Sequence, residues 1–407
     1  MTSTMTPSAL ADDSCWTRAD EMFAMLAEYR RKEPVVWVEG DFLPFWLVTR
    51  HADITAIESR PALFTNRPGP ILEYAEPPAE TAEGDLCPLP HRDGEDHRAH
   101  RAIAQGWFKY KNMRDLEPRA AELARQSVDE LLAQGPECDF VDAVAARFPL
   151  RMILSILGLP DEDYPQMYRA TQTMAWDKEP EEAWDNWQDC LALFGRVTAD
   201  RRARPNGDMS SAIANGRVGG RLLEEPDLTT YYMLIADAGY ETTAFAIATG
   251  MYELLRNPDQ LELLRREPER IPNAVEEILR WSSPVRHFLR TAQEDTEVSG
   301  VRIRKGERVM LSYPSANRDE EVFADSERFD VTREDAGRHL SFGGHGPHHC
   351  IGAPLSRMEM RLFFTELLKR TEAIEAAGEP EFKGSAFLGG VKSLPVRVTA
   401  AAEPART

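Results

Sequence analysis

Cys350 stands in the run 341–352 (SFGGHGPHHCIG), among four glycines and a proline, just ahead of an apolar helical pattern. Glycine permits backbone turns that are closed to other residues. A cysteine placed before a helix faces its positive N-terminal end, which favours the thiolate, and such a thiolate is able to ligate a metal. The plainer reading is a glycine-rich turn with a buried thiol. His345, His348 and His349 crowd the same loop, so zinc is a further alternative. Against zinc, the cluster offers no evident closed tetrahedron, and adjacent His348 and His349 point apart in most backbone conformations.

Three other groupings have spacings that chemistry could use. Glu277 and Arg280, three apart on an expected helix, share a face and can pair. Ile278, Leu279 and Trp281 around them predict burial, and a buried pair needs further hydrogen-bond partners. Arg328 could supply a second arginine, whereas on the surface the pair would be worth little. Residues 238–243 (AGYETT) interrupt an otherwise apolar helical run. Gly239 costs about 1 kcal/mol relative to alanine, and Glu241, Thr242 and Thr243 add to that. Thr242 can hydrogen-bond the carbonyl of Ala238, four residues back. Local rule-breaking of this kind tends to mark functional sites, although a chance break has the same look. His97 and Arg101, four apart, can reach one anionic group together or simply be solvated.

Positioning these residues falls mostly to helices. Helix-compatible spacing covers 97–111, 117–134, 148–158, 182–202, 227–256, 271–281 and 354–370, punctuated by Pro160, Pro226, Pro258, Pro272 and Pro284. Strands are expected at 35–38, 45–49, 298–303, 308–313 and 396–399, with the third and fourth joined near Lys305-Gly306. The result is a mainly α protein with small β-sheets. The Pro/Glu-rich stretch 67–93 reads as a long loop. With no repeat and no evident linker, the 407 residues read as one large domain over 15–400, a flexible tail at 1–14 and a short polar end at 401–407.

Acids outnumber bases 68 to 48, for a formal charge of −20, which argues against general affinity for nucleic acid or anionic membranes. An apolar content of 42% is enough for a large core. There is no run of 18 apolar residues, and the acidic N-terminal thirty residues lack a signal-peptide block, so a cytoplasmic protein without a membrane anchor is expected. The five cysteines are scattered and form no CxxC pair, which excludes a disulfide scaffold and the usual zinc ribbon. Cys15, Cys87, Cys138 and Cys190 are expected to be small buried apolar residues.

In this order and spacing, the groupings resemble the cytochrome P450 superfamily of haem-thiolate monooxygenases, in register from about Asp93 to Val398. The resemblance implies the family's roughly triangular, helix-rich single domain. Cys350 matches its axial haem ligand, with Gly346, His348 and Gly352 at their places in the loop. Glu277 and Arg280 match the ExxR pair, and Arg328 its third member. Residues 238–243 match the oxygen-activating segment of the long central helix, with Glu241 and Thr242 on its acid–alcohol pair. His97 and Arg101 match the haem-propionate clamp, and Arg290, in PVRHFLRTA, a further propionate-binding arginine. One departure concerns the loop. The family places phenylalanine seven residues before the cysteine, where Gly343 stands here, and Phe342 lies eight before. One extra residue sits in 343–345, and a glycine bulge can absorb it.

By the same resemblance the cofactor is haem b, Thr242 holds a water or hydroperoxide, and Glu241 relays protons. One oxygen atom of O2 then enters a C–H bond or double bond of a hydrophobic substrate. With no flavin or iron–sulfur domain evident, electrons are expected from NAD(P)H through ferredoxin reductase and ferredoxin. Between His97 and Arg114 five bases (Arg98, Arg101, Lys109, Lys111, Arg114) stand without an acid, so this helix either docks an acidic ferredoxin or is a solvated clamp. The family's pocket positions give Leu72 and Tyr74 before His97, Ile235 and Ala238 on the central helix, Val285 and Phe288 after the ExxR helix, and Leu388 and Val391 in a C-terminal turn. These imply a small terpenoid, steroid or aromatic substrate, with Arg286 and His287 either meeting a polar end or facing away. A peroxide-driven peroxygenase or decarboxylase and a non-catalytic haem sensor are alternatives, and the Glu241–Thr242 pair counts against both.

Overall fold

The computed structural model describes residues 5–72, 87–173 and 180–402. The N-terminal part holds helices α1 (Ala19–Lys32) and α2 (His51–Glu58) with strands β1 (Val35–Gly40), β2 (Phe42–Val48) and β3 (Phe64–Thr65). A mainly helical stretch follows: α3 (Gly94–Gln105), α4 (Tyr110–Ala133), β4 (Glu137–Asp139), α5 (Arg147–Leu157), α6 (Tyr164–Thr173), α7 (Pro180–Ala203) and α8 (Met209–Ala214). After the hairpin β5 (Arg217–Val218) and β6 (Arg221–Leu222) come α9 (Asp227–Arg256), α10 (Pro258–Arg266) and α11 (Ile271–Ser282). Strands β7 (His287–Ala292), β8 (Thr296–Val298), β9 (Val301–Ile303) and β10 (Arg308–Ser312) lead to α12 (Tyr313–Ala316) and α13 (Ala353–Arg370). The chain closes with β11 (Thr371–Ala376), β12 (Glu381–Phe382), β13 (Val391–Ser393) and β14 (Pro395–Ala400).

The central element is α9. It is apolar almost all round, as befits a helix with core on every side, and α5, α11, α13 and α4 belong to the same hydrophobic cluster. Two of its glycines have a packing reason. A Cβ at Gly239 would lie 2.3 Å from Ile153 Cδ1 on α5, and one at Gly250 would lie 2.7 Å from Ile278 on α11. Gly239 is therefore a contact point between helices as well as part of a polar interruption.

The main sheet has the order β1-β2-β10-β7-β3, with β10 parallel to β2 and antiparallel to β7. The closing strand expected at 396–399 is found as β14, between β11 and β4.

Several expectations are corrected. The stretch 298–303 is not one strand joined to 308–313: it turns at Ser299-Gly300 into the β8–β9 hairpin, while β10 pairs with β2 and β7. The helix expected over 97–111 breaks between Gln105 and Tyr110, so Arg98 and Arg101 lie on α3, Lys111 and Arg114 on α4, and Lys109 just before α4. Residues 7–14, expected in a flexible tail, are folded together with 15–17. They form two 3-10 turns because Leu10, Ala11, Cys15 and Trp16 bury against the sheet-side cluster, and Trp16 Nε1 donates to the Leu10 carbonyl. Helix α1 was not expected, although Met22, Met25, Leu26 and Tyr29 have helical spacing. Cys15 and Cys190 are buried, whereas Cys87 and Cys138 are only half-buried.

Candidate active site

Cys350 lies deep in the fold yet presents an exposed face, because it opens onto an internal cavity shared with Thr242, Ala238, Phe288, Arg290 and His97. Its thiol sits at the start of α13, where the Gly352 and Ala353 amides point at the sulfur. Burial pushes the thiol pKa up, and those amides with Arg101 pull against it. The extra loop residue is absorbed as the glycine chemistry allows: Gly343 has φ +80°. The Cys350 amide still donates to the Phe342 carbonyl at 2.9 Å. Phe342 lines the cavity, and its ring lies 4.6 Å under the Arg357 guanidinium. Gly343, His348 and Gly352 also line the cavity, while Gly346 sits outside it, against α2.

The loop is anchored by α11. Glu277 and Arg280 are wholly buried and form a bidentate pair, Nε to Oε2 at 2.7 Å and Nη2 to Oε1 at 2.8 Å. Arg280 also donates to the carbonyls of Asn317, Ser326 and Arg328. The expected third member is corrected. The Arg328 side chain is exposed and only its carbonyl takes part; Arg333, 3.2 Å from Glu277, closes the triad. Sequence reasoning missed Arg333 because the chain folds back between 328 and 333. Asn317 carries the anchorage onward: its side chain donates to Ser283 and Ser341 and accepts from the Leu340 amide. Glu276, the neighbour of Glu277, bonds Arg357 and His339. Burial alone would raise its pKa, but these two partners hold it down at about 2.

One edge of the cavity is basic. His97 is buried, its ring lies 4.0 Å from that of His348, and its Nδ1 has no hydrogen-bond partner among the described residues. Burial, with the charges of His348 and Arg101, depresses the His97 pKa to about 4. Arg101 donates to the His349 carbonyl at 2.7 Å. Asn66 Nδ2 lies 3.2 Å from His348 Nδ1. Arg290 is buried beside Glu58, a residue that the sequence did not single out, at 3.1 Å. Among the described residues no three His, Cys, Asp or Glu side chains gather into a metal-binding group, so the zinc alternative finds no ligand set.

The other side of the cavity is α9. Thr242 Oγ1 donates to the Ala238 carbonyl at 2.8 Å, as expected. Glu241 faces away from the cavity and pairs with Lys383, just after β12, at 2.5 Å. Asp237, one turn earlier, is pushed up to about 7 by burial and then by the Glu241 charge. Glu359 on α13 is buried in the cavity wall with neither oxygen bonded among the described residues, and burial raises its pKa well above the usual range. Neither Lys383 nor Glu359 falls in a local motif, so neither was legible.

Of the expected pocket residues, Ile235, Ala238, Val285 and Phe288 line the cavity. Leu72 does not: it packs in the sheet-side cluster, and its amide donates to His287 Nε2. Leu388 is drawn into a bridge with Val285, and Val391 into the main core. Tyr74 lies outside the described residues. Arg286 stacks on Trp16, 4.0 Å away, and His287 is held between Leu72 and Ala386, so both face away from the cavity. Lys109 and Lys111 are exposed, whereas Arg98 pairs with Glu95 and Arg114 with Asp115.

The cytochrome P450 family model matches residues 196–388. The chain is 36% identical to cytochrome P450-terp of a Pseudomonas species over 97% of its own length and 96% of that protein's. It is 32% identical to linalool 8-monooxygenase of Pseudomonas putida, over 91% and 94% of the two lengths. Solved structures of P450s from Novosphingobium aromaticivorans and, in complex with pseudoionone, from Mycobacterium marinum each superpose with a TM-score of 0.87. Their identities are 33% and 30%, over 97% and 98% of this chain and 98% of each structure. Among the described residues no helix is long and apolar enough to cross a membrane. This chain thus belongs to the cytochrome P450 family and is a P450 monooxygenase.

Proposed function

We propose that this chain hydroxylates or epoxidises a small hydrophobic substrate of terpenoid or steroid kind, with Cys350 as the residue whose sulfur would hold haem b and electrons from NAD(P)H through ferredoxin reductase and ferredoxin. The observation that carries the reading is that the Cys350 sulfur and the Thr242 hydroxyl segment line one cavity. The residues fit the cofactor. The sulfur is open to the cavity, apolar walls adjoin it, and His97, Arg101, His348 and Arg290 offer a basic edge for two propionates. The unpartnered Nδ1 of buried His97 is a polar atom awaiting such a partner. Bound there, haem would supply the activation of O2 that inserts one oxygen atom into the substrate.

The chain's own residues orient, exclude water and move protons. The Gly352 and Ala353 amides hydrogen-bond the sulfur and set its basicity. Thr242 uses its proton on Ala238, so its lone pairs remain free to accept from a water and hold that water's second proton ready. Glu241 serves as relay when it leaves Lys383, which gives proton delivery a gate. Val285, Phe288 and Ile235 keep the substrate side dry. The apolar lining and the linalool and pseudoionone named with similar proteins support a terpenoid-like substrate. Exposed Lys109 and Lys111 support docking of an acidic ferredoxin near α3 and α4.

Haem-loaded protein given ferredoxin, reductase, NADH and a panel of terpenoids and steroids under labelled O2 tests this. One labelled oxygen per product molecule is expected. Turnover on peroxide alone at an undiminished rate, or no labelled product with any ligand that perturbs the Soret band, would overturn it.

A further inference from the structure

Glu58 ends α2 and belongs to none of the family's motifs quoted above, yet three elements converge on it. It is buried, and its carboxylate accepts from the Gly344 amide (2.5 Å), the Tyr313 hydroxyl (2.8 Å) and Arg290 Nη2 (3.1 Å). The glycines of the cysteine loop are wrapped around it. A Cβ at Gly344 would lie 2.6 Å from Glu58 Oε2, and one at Gly346 would lie 2.4 Å from the Glu58 carbonyl oxygen. Gly343, which absorbs the extra residue in the left-handed region, directly precedes the amide that Glu58 captures.

We infer that Glu58 is a positioning residue for the cofactor: the buried counter-ion that pins the lengthened Cys350 loop and offsets the charge of Arg290 where a propionate would be held. This rests on the haem-thiolate reading. A buried carboxylate is tolerated when donors close around it, and here one donor comes from the loop, one from β7 and one from α12. The extra residue would otherwise leave the Gly344 amide without a fixed partner beside the ligand cysteine. Arg290 lines the cavity, so its charge is shared between Glu58 and whatever anion binds there. A fixed negative charge in this place favours the oxidised iron and lowers the reduction potential.

Glu58→Gln preserves shape and removes charge. In the haem-loaded protein it should speed haem transfer to apomyoglobin by about 10-fold or more, the usual scale for loss of a supporting partner, and raise the ferric/ferrous midpoint. Gly344→Ala keeps both charges but drives Oε2 off the loop; it should speed haem loss with a smaller change in midpoint. Both variants should keep the thiolate signature of the ferrous carbonyl form. Wild-type haem loss and midpoint in Glu58→Gln would overturn the inference. If that variant does not fold, wild-type haem loss in Gly344→Ala overturns it. A wild-type protein without the thiolate signature would instead overturn the reading beneath it.

Discussion

The two sides of the cavity are held in different ways. On the cysteine side the charges that anchor the loop are each closed by several bonds: Arg280 by Glu277 and three carbonyls, Glu277 by Arg280, Arg333 and the Asp330 amide, Glu58 by three donors. On the α9 side the polar groups are less firmly closed: the Thr242 hydroxyl bonded within its own helix, the Thr243–Ser356 hydroxyl contact, the Glu241–Lys383 pair, and Asp237 raised to about 7. On the proposed function, over-determination would fix where the haem-holding cysteine stands, whereas groups proposed to move protons are left able to change partner and charge. The same fold therefore answers substitution in two ways, by failing to assemble or by assembling and misfiring.

The largest effect is expected at the triad. Glu277→Ala leaves Arg280 and Arg333 facing a buried void and should destabilise by about 3–5 kcal/mol. Chemical denaturation should show this together with poor haem retention and no selective loss of chemistry. A stable, haem-loaded variant would erase the contrast between the sides. Thr242→Ala should leave folding and reduction intact while product per O2 falls about tenfold or more and hydrogen peroxide accumulates. Unchanged coupling would place proton delivery elsewhere, with Glu359 the next group to test.

The carboxylates of the two sides are shifted in opposite directions. Glu276 is held below its ordinary pKa, so its stabilising contribution is full above about pH 4.5 and is lost as pH falls toward 2. Asp237 is raised from 3.8 to about 7, so the folded state holds a proton that the unfolded chain has lost, and its stability falls as pH rises across that interval. Asp237→Asn should flatten that decline, a gain of about 1–2 kcal/mol at neutral pH, and denaturation across pH 4–8 reads it. An unaltered slope would show that Asp237 is solvated. The smallest effect is expected at the surface. Lys109→Glu with Lys111→Glu should raise the ferredoxin concentration needed about 2–5-fold, as added salt does, since exposed charges are screened within about 8–10 Å. Dithionite reduction should barely change, and an unaltered ferredoxin dependence would place docking elsewhere.

Legibility in the sequence follows the same division. Cys350, Glu277, Arg280 and Thr242 could be read because each acts within one local pattern, a loop or a turn of helix. The Thr242–Ala238 bond was predictable from spacing alone. What escaped is tertiary. Arg333, Glu58 and Lys383 reach the site only because distant segments are brought together, and nothing in their own neighbourhoods marks them. The helix break after Gln105 was hidden because 97–111 keeps helical apolar spacing across it. Leu72, Leu388 and Val391 were placed in the pocket by family position, but packing turned them into clusters and a bridge.

On this reading the cysteine side presents one sulfur to the cavity that Thr242 shares. The absorption spectrum of the ferrous carbonyl form, measured for wild-type and Cys350→His proteins reconstituted with haem b, tests it most directly. The red-shifted Soret band of a thiolate-ligated haem should appear in the wild-type protein and vanish in the variant. The same band surviving in Cys350→His, or purified protein carrying zinc in place of iron, would contradict it.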